Sequence, residues 1–223
     1  MKINHILNFL SDLSKHNNRE WFALNKDRYE QTKSDFEQIC ASLIEAISRF
    51  DDDIKHLTVK DVVFRIYRDI RFSYDKTPYK KHYAAFIASE GGRKSLRGGY
   101  YVHLEPDNSF VAAGVWCPPP ELLKALRRSV YDNIEELKVI IDKPEFRLYF
   151  DKFVEDDKLK TAPKGFPKDF PDIELLKLKH YMVEYRMPDR LLTDDNFVSS
   201  LADVFKAAQP LNAFLNYTVD DMQ

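Results

Sequence analysis

The spacing of hydrophobic residues changes along this chain, and that change limits the folds it can adopt. Apolar residues recur at helical spacing in residues 3–13 and 36–47. In residues 63–72 the spacing changes to two, so that Phe64, Ile66, Ile70 and Phe72 share one face with Arg68. Strict alternation is typical of a β-strand with one buried face. Helices that enclose a group of strands predict an α+β fold.

The rest of the pattern completes this prediction. Asn18 is expected to cap the second helix, residues 193–196 to cap the last one, and Pro210 to kink or end it. Turn residues at 106–109 predict a hairpin over residues 100–116. We therefore expect a single domain over residues 1–223, with a mostly antiparallel sheet of about five strands flanked by N-terminal and C-terminal helices. The expected strands are residues 63–72, 83–88, 100–105, 110–116 and 181–186, and further helices are expected at 121–131, 134–141 and 173–177.

Composition indicates a globular, water-soluble protein. Of its 223 residues, 44% are hydrophobic and 31% are charged, and no apolar run approaches the roughly 18 residues of a membrane span. The N-terminal segment lacks the features of a signal peptide, so a cytoplasmic location without membrane contact is expected. Cys40 and Cys117 form neither a disulfide framework nor a CxxC motif, and Cys40 is expected in the core.

Positive charge is concentrated in the middle of the chain. Residues 60–103 contain ten Lys and Arg against four Asp and Glu, a local charge of +6. The whole chain carries −2, so the remainder sums to −8. This asymmetry predicts that a negatively charged partner docks on the basic segment.

The alternation places Arg65, Tyr67 and Arg71 on one face of the expected strand. Guanidinium groups suit bidentate binding of phosphate or carboxylate, and lysine adds a point charge. The turn at Pro78 can bring further basic residues over one end of that strand, and a loop over residues 160–166 can aim two more lysines at a common point. The predicted ligand-binding residues are Arg65, Tyr67, Arg68, Arg71, Lys76, Tyr79, Lys80, Tyr101, Lys160 and Lys164.

A purely structural interpretation stays open for the same residues. Asp69 can neutralise a neighbouring arginine, and acidic helices can cover the basic face through ion pairs. Arg68 falls on the apolar face, where an unpaired charge is costly, so it is expected either to meet a carboxylate or to reach solvent along its aliphatic stem. A segment such as residues 160–166, taken by itself, is more often an ordinary surface loop.

No known catalytic motif supports a named reaction. The chain has no GxGxxG or Walker loop, no GxSxG elbow and no assignable nucleophile. The six histidines lack HxH or HExxH spacing, so no metal site is assigned, and a metal would need ligands from distant segments. The sequence names no cofactor and does not decide whether the protein is an enzyme. If it is one, His82 and His103 are the candidates for proton transfer.

Several segments of the chain occur in an order that is typical of one known family. They are residues 17–22, 25–29, 64–73, 75–80, 99–105 and 162–166. In these segments the chain resembles a widespread family catalogued as domain of unknown function 2461. The resemblance covers nearly the whole chain and implies a single-domain unit of this length, but it brings no established activity. It also favours one shared site for Arg65, Arg68, Arg71, Lys76, Tyr79 and Lys80.

Two functional hypotheses follow. The first is binding of a small anionic ligand, phosphate-bearing in the favoured case, at the basic strand and turn. In a catalytic version, Arg65, Arg71 and Lys80 would neutralise developing charge. The second is a binding module for single-stranded nucleic acid or an acidic protein, in which tyrosines stack on bases. The slightly negative net charge disfavours nucleic acid.

Overall fold

The computed structural model describes residues 2–192 and 194–222. Its centre is a four-stranded antiparallel sheet in the order β1-β2-β3-β4, which confirms the α+β class. Every strand pairs with its neighbours in sequence order. The strands are β1 (Tyr83–Ile87), β2 (Gly99–Leu104), β3 (Phe110–Val115) and β4 (Tyr181–Arg186).

Helices precede and follow the strands in sequence, as predicted. Short 3₁₀ turns lie at Asp52–Ile54 and Gly92–Lys94. Among the described residues, no helix combines the length and apolar character that crossing a membrane requires. The helices are α1 (Lys2–Lys15), α2 (Arg19–Leu24), α3 (Lys26–Ile47), α4 (Val59–Val62), α5 (Pro120–Asp132), α6 (Ile134–Ile141), α7 (Pro144–Arg147), α8 (Ile173–Leu176), α9 (Asp189–Leu192) and α10 (Phe197–Asp221).

One face of the sheet packs against α3 and α10. Tyr83 of β1 stacks on Phe36 of α3 with 5.3 Å between the ring centroids. Tyr100 of β2 meets Phe205 of α10 edge to face at 5.2 Å. These side chains are buried, and their burial supplies the hydrophobic free energy that holds helices and sheet together. The opposite face of the sheet is consequently left to form a cleft.

Residues 63–72 do not form the predicted fifth strand. Only two isolated bridges occur there, Val63 with Ala85 and Tyr67 with Tyr79. After the first bridge the chain leaves the sheet and folds back on residues 78–80, through hydrogen bonds such as Lys80 N to Ile66 O at 2.8 Å. The β2–β3 hairpin is confirmed, and β1 rather than residues 63–72 pairs with its β2 edge.

Local predictions at the helix ends have mixed outcomes. Asn18 caps α2 as predicted, accepting a hydrogen bond from the Trp21 backbone N–H at 2.9 Å. Pro210 does not end α10, which continues to Asp221 because its last turns bury apolar side chains such as Leu215. Of the predicted cap at residues 193–196, Thr193 lies outside the described residues. Cys40 is buried, as expected.

Candidate functional site

Residues 63–80 form an irregular hairpin, here called the basic hairpin, which is anchored to the N-terminal helices. The Asn17 side chain bonds both polar groups of the Tyr79 backbone: it donates to the carbonyl at 3.0 Å and accepts from the N–H at 3.1 Å. The Tyr79 ring stacks on Phe22, with centroids 3.9 Å apart. This anchor determines where the next residue, Lys80, is placed.

Two arginines of the basic hairpin already have carboxylate partners within it. Arg68 donates to Asp75 at 2.6 Å, which agrees with the structural role expected for a charge on the apolar face. Arg71 pairs with Asp69 at 2.6 Å. Hydrogen bonds from Arg71 lower the pKa of Asp69 to about 2, and bonds from Thr77 and Arg68 do the same for Asp75. A ligand-binding role for either arginine stays a prediction.

Two further predicted residues serve the hairpin itself. Lys76 donates to the Ile70 carbonyl at 3.0 Å and so closes the hairpin tip. Tyr67 is half exposed, with its ring 5.5 Å from the buried Tyr79 ring. Within the described structure, neither Lys160 nor Lys164 lines a cleft with the hairpin; both are exposed in a loop.

A cleft of about 650 Å³ opens beside the basic hairpin, and we call it the basic cleft. The half-buried Phe64 ring lines it, with the buried rings of Phe36 and Tyr83 beneath. Among the described residues that line it, Glu37 is the one carboxylate, and it pairs with a lining lysine at 3.3 Å. The excess of positive charge makes the cleft a suitable environment for an anion. The cationic residues that line it are Lys33, Lys60, Arg65, Lys80, Arg93 and Lys94.

Arg65 and Lys80 are the two predicted ligand-binding residues that the structure brings together in this cleft. Among residues 2–192 and 194–222, neither forms an ion pair with a carboxylate. Lys80 is half-buried with its ammonium 5.2 Å from the centroid of the Phe64 ring. Burial and the adjacent Arg65 charge lower the pKa of Lys80. An anion bound between Arg65 and Lys80 would stabilise the charged form of Lys80 against both its burial and its repulsion by Arg65.

The remaining cations come from elements that the sequence analysis did not connect to the hairpin. Lys33 lies on α3 and Lys60 on α4, and only the tertiary fold brings them to the cleft. Arg93 and Lys94 belong to a 3₁₀ turn that packs on α4 through Gly92, which has a φ of +58°. A Cβ at Gly92 would collide with the Asp61 carbonyl, so this glycine permits the close approach. The basic composition of residues 91–99 was the sequence feature that could have indicated Arg93 and Lys94 as site residues.

A second cleft of about 460 Å³, the sheet cleft, covers the sheet face opposite the helices. Side chains such as Tyr101, Phe110 and Met182 form its mostly apolar floor. Arg93 and Phe64 line both clefts, so the two are neighbours. Tyr101, a predicted ligand-binding residue, therefore lies in the sheet cleft and is not among the residues that line the basic cleft.

His82, His103 and Glu105 converge at one end of the sheet cleft and are here called the histidine cluster. The two imidazole centroids are 4.2 Å apart, and His103 Nε2 lies 3.1 Å from Glu105 Oε2. Burial, and then the neighbouring His103, lower the pKa of His82 to about 4. Burial also lowers the pKa of His103, although Glu105 opposes the change. Both rings are therefore neutral near pH 7.

Comparison with known families agrees with the resemblance seen in the sequence. The chain belongs to the family described as conserved hypothetical protein (DUF2461), which matches residues 5–214. No curated protein matches the chain. No solved structure matches it either. The family match covers nearly the whole chain. The two clefts are the features of the structure that bear on function.

The anchor between Asn17 and Tyr79 yields a first prediction. We expect Asn17→Ala to lower the free energy of unfolding by about 2 kcal/mol, because two backbone groups of Tyr79 lose their partner. Urea denaturation of the variant and the parent measures this difference. Asn133→Ala is the control, since Asn133 is exposed and makes a single bond to a helix carbonyl. Equal losses in the two variants would contradict an anchoring role.

Proposed function

We propose that this protein binds a small phosphate-bearing anion in the basic cleft, with Arg65 and Lys80 as the primary contacts. The observation that carries the proposal is the pairing of these two cations without a carboxylate partner, beside four further cations. A half-buried lysine next to an arginine is unfavourable unless an anion compensates the two charges. Arg65 supplies the planar fork that matches phosphate oxygens, and Lys80 supplies a point charge.

The size of the cleft favours a small ligand over a polymer. Its volume of about 650 Å³ falls within the range of roughly 300–1,000 Å³ that is usual for small-molecule sites. The half-buried Phe64 ring lines it beside the cations. This ring offers a surface for an apolar or planar group attached to the phosphate. A nucleotide or a phosphorylated metabolite has this combination of charge and apolar area.

The test is a thermal-shift screen followed by calorimetric titration of any stabilising compound. Inorganic phosphate, pyrophosphate, nucleoside monophosphates, sugar phosphates and a short oligothymidylate serve as probes. We expect a phosphate-bearing small molecule to raise the melting temperature, because a ligand that binds only the folded state stabilises it. Stabilisation by oligothymidylate alone would instead support the nucleic-acid hypothesis.

Two variants identify the contacts. Arg65→Gln and Lys80→Gln are each expected to weaken binding roughly 10- to 150-fold, because each removes a charged hydrogen bond worth about 1.5–3 kcal/mol. Arg71→Gln is the matched control, since Arg71 is exposed and already paired with Asp69. The proposal fails if no phosphate compound binds, or if all three variants weaken binding equally.

A further inference from the structure

The histidine cluster carries an inference that goes beyond anion binding and does not depend on it. We propose that His82, His103 and Glu105 bind one divalent transition-metal ion, with Zn²⁺ as the best match, at the end of the sheet cleft. Two imidazoles and one carboxylate are the protein ligands of several catalytic zinc sites. The three residues come from two separate segments of the chain, as the histidine spacing requires of any metal site here.

The positions of the donor atoms fit a shared ion. One nitrogen of each imidazole and a carboxylate oxygen all lie within 4.8 Å of one another. The distance between His103 Nε2 and Glu105 Oε2 is 3.1 Å. Ligand bonds of about 2.0–2.2 Å place neighbouring donors of a tetrahedral ion roughly 3.3–3.6 Å apart. The separation of this pair is a few tenths of an ångström shorter, so small side-chain rotations bring the donors to one zinc ion.

Hydrogen bonds outside the three ligands hold them in place. His103 Nδ1 lies 3.0 Å from the Tyr101 hydroxyl, and Asn108 donates to Glu105 Oε2 at 2.8 Å. Metal-bound histidines usually donate their second ring N–H to such a partner, which orients the ring. The Tyr101 hydroxyl can accept that proton because a phenol is both donor and acceptor. Without the ion, the same hydroxyl donates to Nδ1 while Nε2–H bonds Glu105.

The location of the cluster indicates an accessible site. His103 lines the sheet cleft, whose other walls include Trp116 and Leu96. Three protein ligands leave at least one position of a tetrahedral ion for a water or a ligand atom. A bound ion in this position would supply Lewis-acid chemistry or an activated water.

Calorimetric titration of the chelator-treated full-length protein with ZnCl₂ tests the proposal, and Co²⁺ absorption reports the ligand geometry. We expect one equivalent to bind, and His82→Gln and Glu105→Gln each to weaken binding by more than about tenfold. Tyr101→Phe keeps all three ligands and is expected to weaken binding by about tenfold through the lost partner of His103. His56→Gln is the control, because His56 is exposed and outside the cluster.

The outcomes separate the possibilities. Weaker binding in the two ligand variants, with His56→Gln equal to the parent, supports the site. Absence of stoichiometric zinc binding overturns it, and so does binding that survives Glu105→Gln unchanged. If His82→Gln fails to fold, as thermal melts would show, Glu105→Gln and Tyr101→Phe decide the question. Phosphate binding by the metal-free protein is measured in parallel, so that failure of either proposal is seen independently of the other.

Discussion

Replacing Gly114 with alanine is expected to lower the free energy of unfolding by at least about 3 kcal/mol. Gly114 has a φ of +119°, which L-residues with a side chain rarely adopt. A Cβ there would also collide with the Tyr181 carbonyl and lie 2.8 Å from the Met182 Cα. These atoms belong to the paired strand β4, so the β3–β4 ladder would have to separate locally. Denaturation by guanidinium chloride measures the loss.

Gly165→Ala isolates the steric part of this effect. Gly165 also has a positive φ, +88°, but nothing lies within 4 Å of a Cβ built on it. We expect only the conformational cost, about 1 kcal/mol. If Gly114→Ala and Gly165→Ala are equally destabilising, the close approach of β3 and β4 contributes nothing. Gly114 also lines the sheet cleft. A Gly114→Ala variant that still folds is therefore expected to bind a ligand of the sheet cleft with altered affinity.

Asn216→Ala is expected to lower the free energy of unfolding by about 3 kcal/mol. The buried Asn216 side chain accepts from the Gly98 N–H at 2.6 Å and donates to the Gly98 carbonyl at 3.0 Å. Removing it leaves two buried backbone groups without partners. Gly98 connects the Arg93 turn to β2. The Asn216→Ala variant is therefore also expected to bind any ligand of the basic cleft more weakly. Denaturation and titration of the same sample measure both effects.

Tyr217→Ala is the matched control on the same helix. Tyr217 follows Asn216 in α10 but is 79% exposed. Its replacement is expected to change the free energy of unfolding by less than about 0.5 kcal/mol and to leave ligand binding intact. A loss in Tyr217→Ala as large as that in Asn216→Ala would mean that α10 responds to any truncation. The bonds to Gly98 would then have no special role.

Predictions from local pattern succeeded where a short segment carries its own signal. The strand predicted near residues 181–186 is β4, and Asn18 was correctly assigned as a helix cap. The alternation in residues 63–72 gave the correct exposure at residues 65–67, where Ile66 is buried between exposed Arg65 and Tyr67, but not at Phe72, which is 95% exposed. It did not give a strand, because alternation reports a buried face and not a hydrogen-bonded neighbour.

The candidate site was predictable only in part, for a related reason. The sequence indicated a basic segment, and Arg65 and Lys80 do meet in the basic cleft. It also allowed structural ion pairs for Arg68 and Arg71, but it could not identify Asp75 as the partner of Arg68 or decide between pairing and ligand binding. A charge run has the same composition whether its members are paired or not, and pairing depends on backbone folding over several residues.

Two asparagines make long-range hydrogen bonds that the sequence does not predict. Asn17 bonds the backbone of Tyr79, and Asn216 bonds the backbone of Gly98. Each contact spans a long stretch of chain, 62 residues for the first and 118 for the second. No local pattern predicts such a bond, because the sequence does not distinguish an asparagine that bonds a distant backbone group from any other polar residue. Both anchors hold segments that border the basic cleft.

The amino-acid sequence by itself determined the class of fold, the positions of nearly all strands and long helices, and the region where positive charge collects. These features follow from spacing and composition within short windows, where neighbouring residues share one periodic environment. Tertiary structure alone decided which cations keep no carboxylate partner, and it brought His82 to His103 and Glu105. Those outcomes depend on distances between side chains far apart in sequence, and such distances are set only when the helices and the sheet pack together.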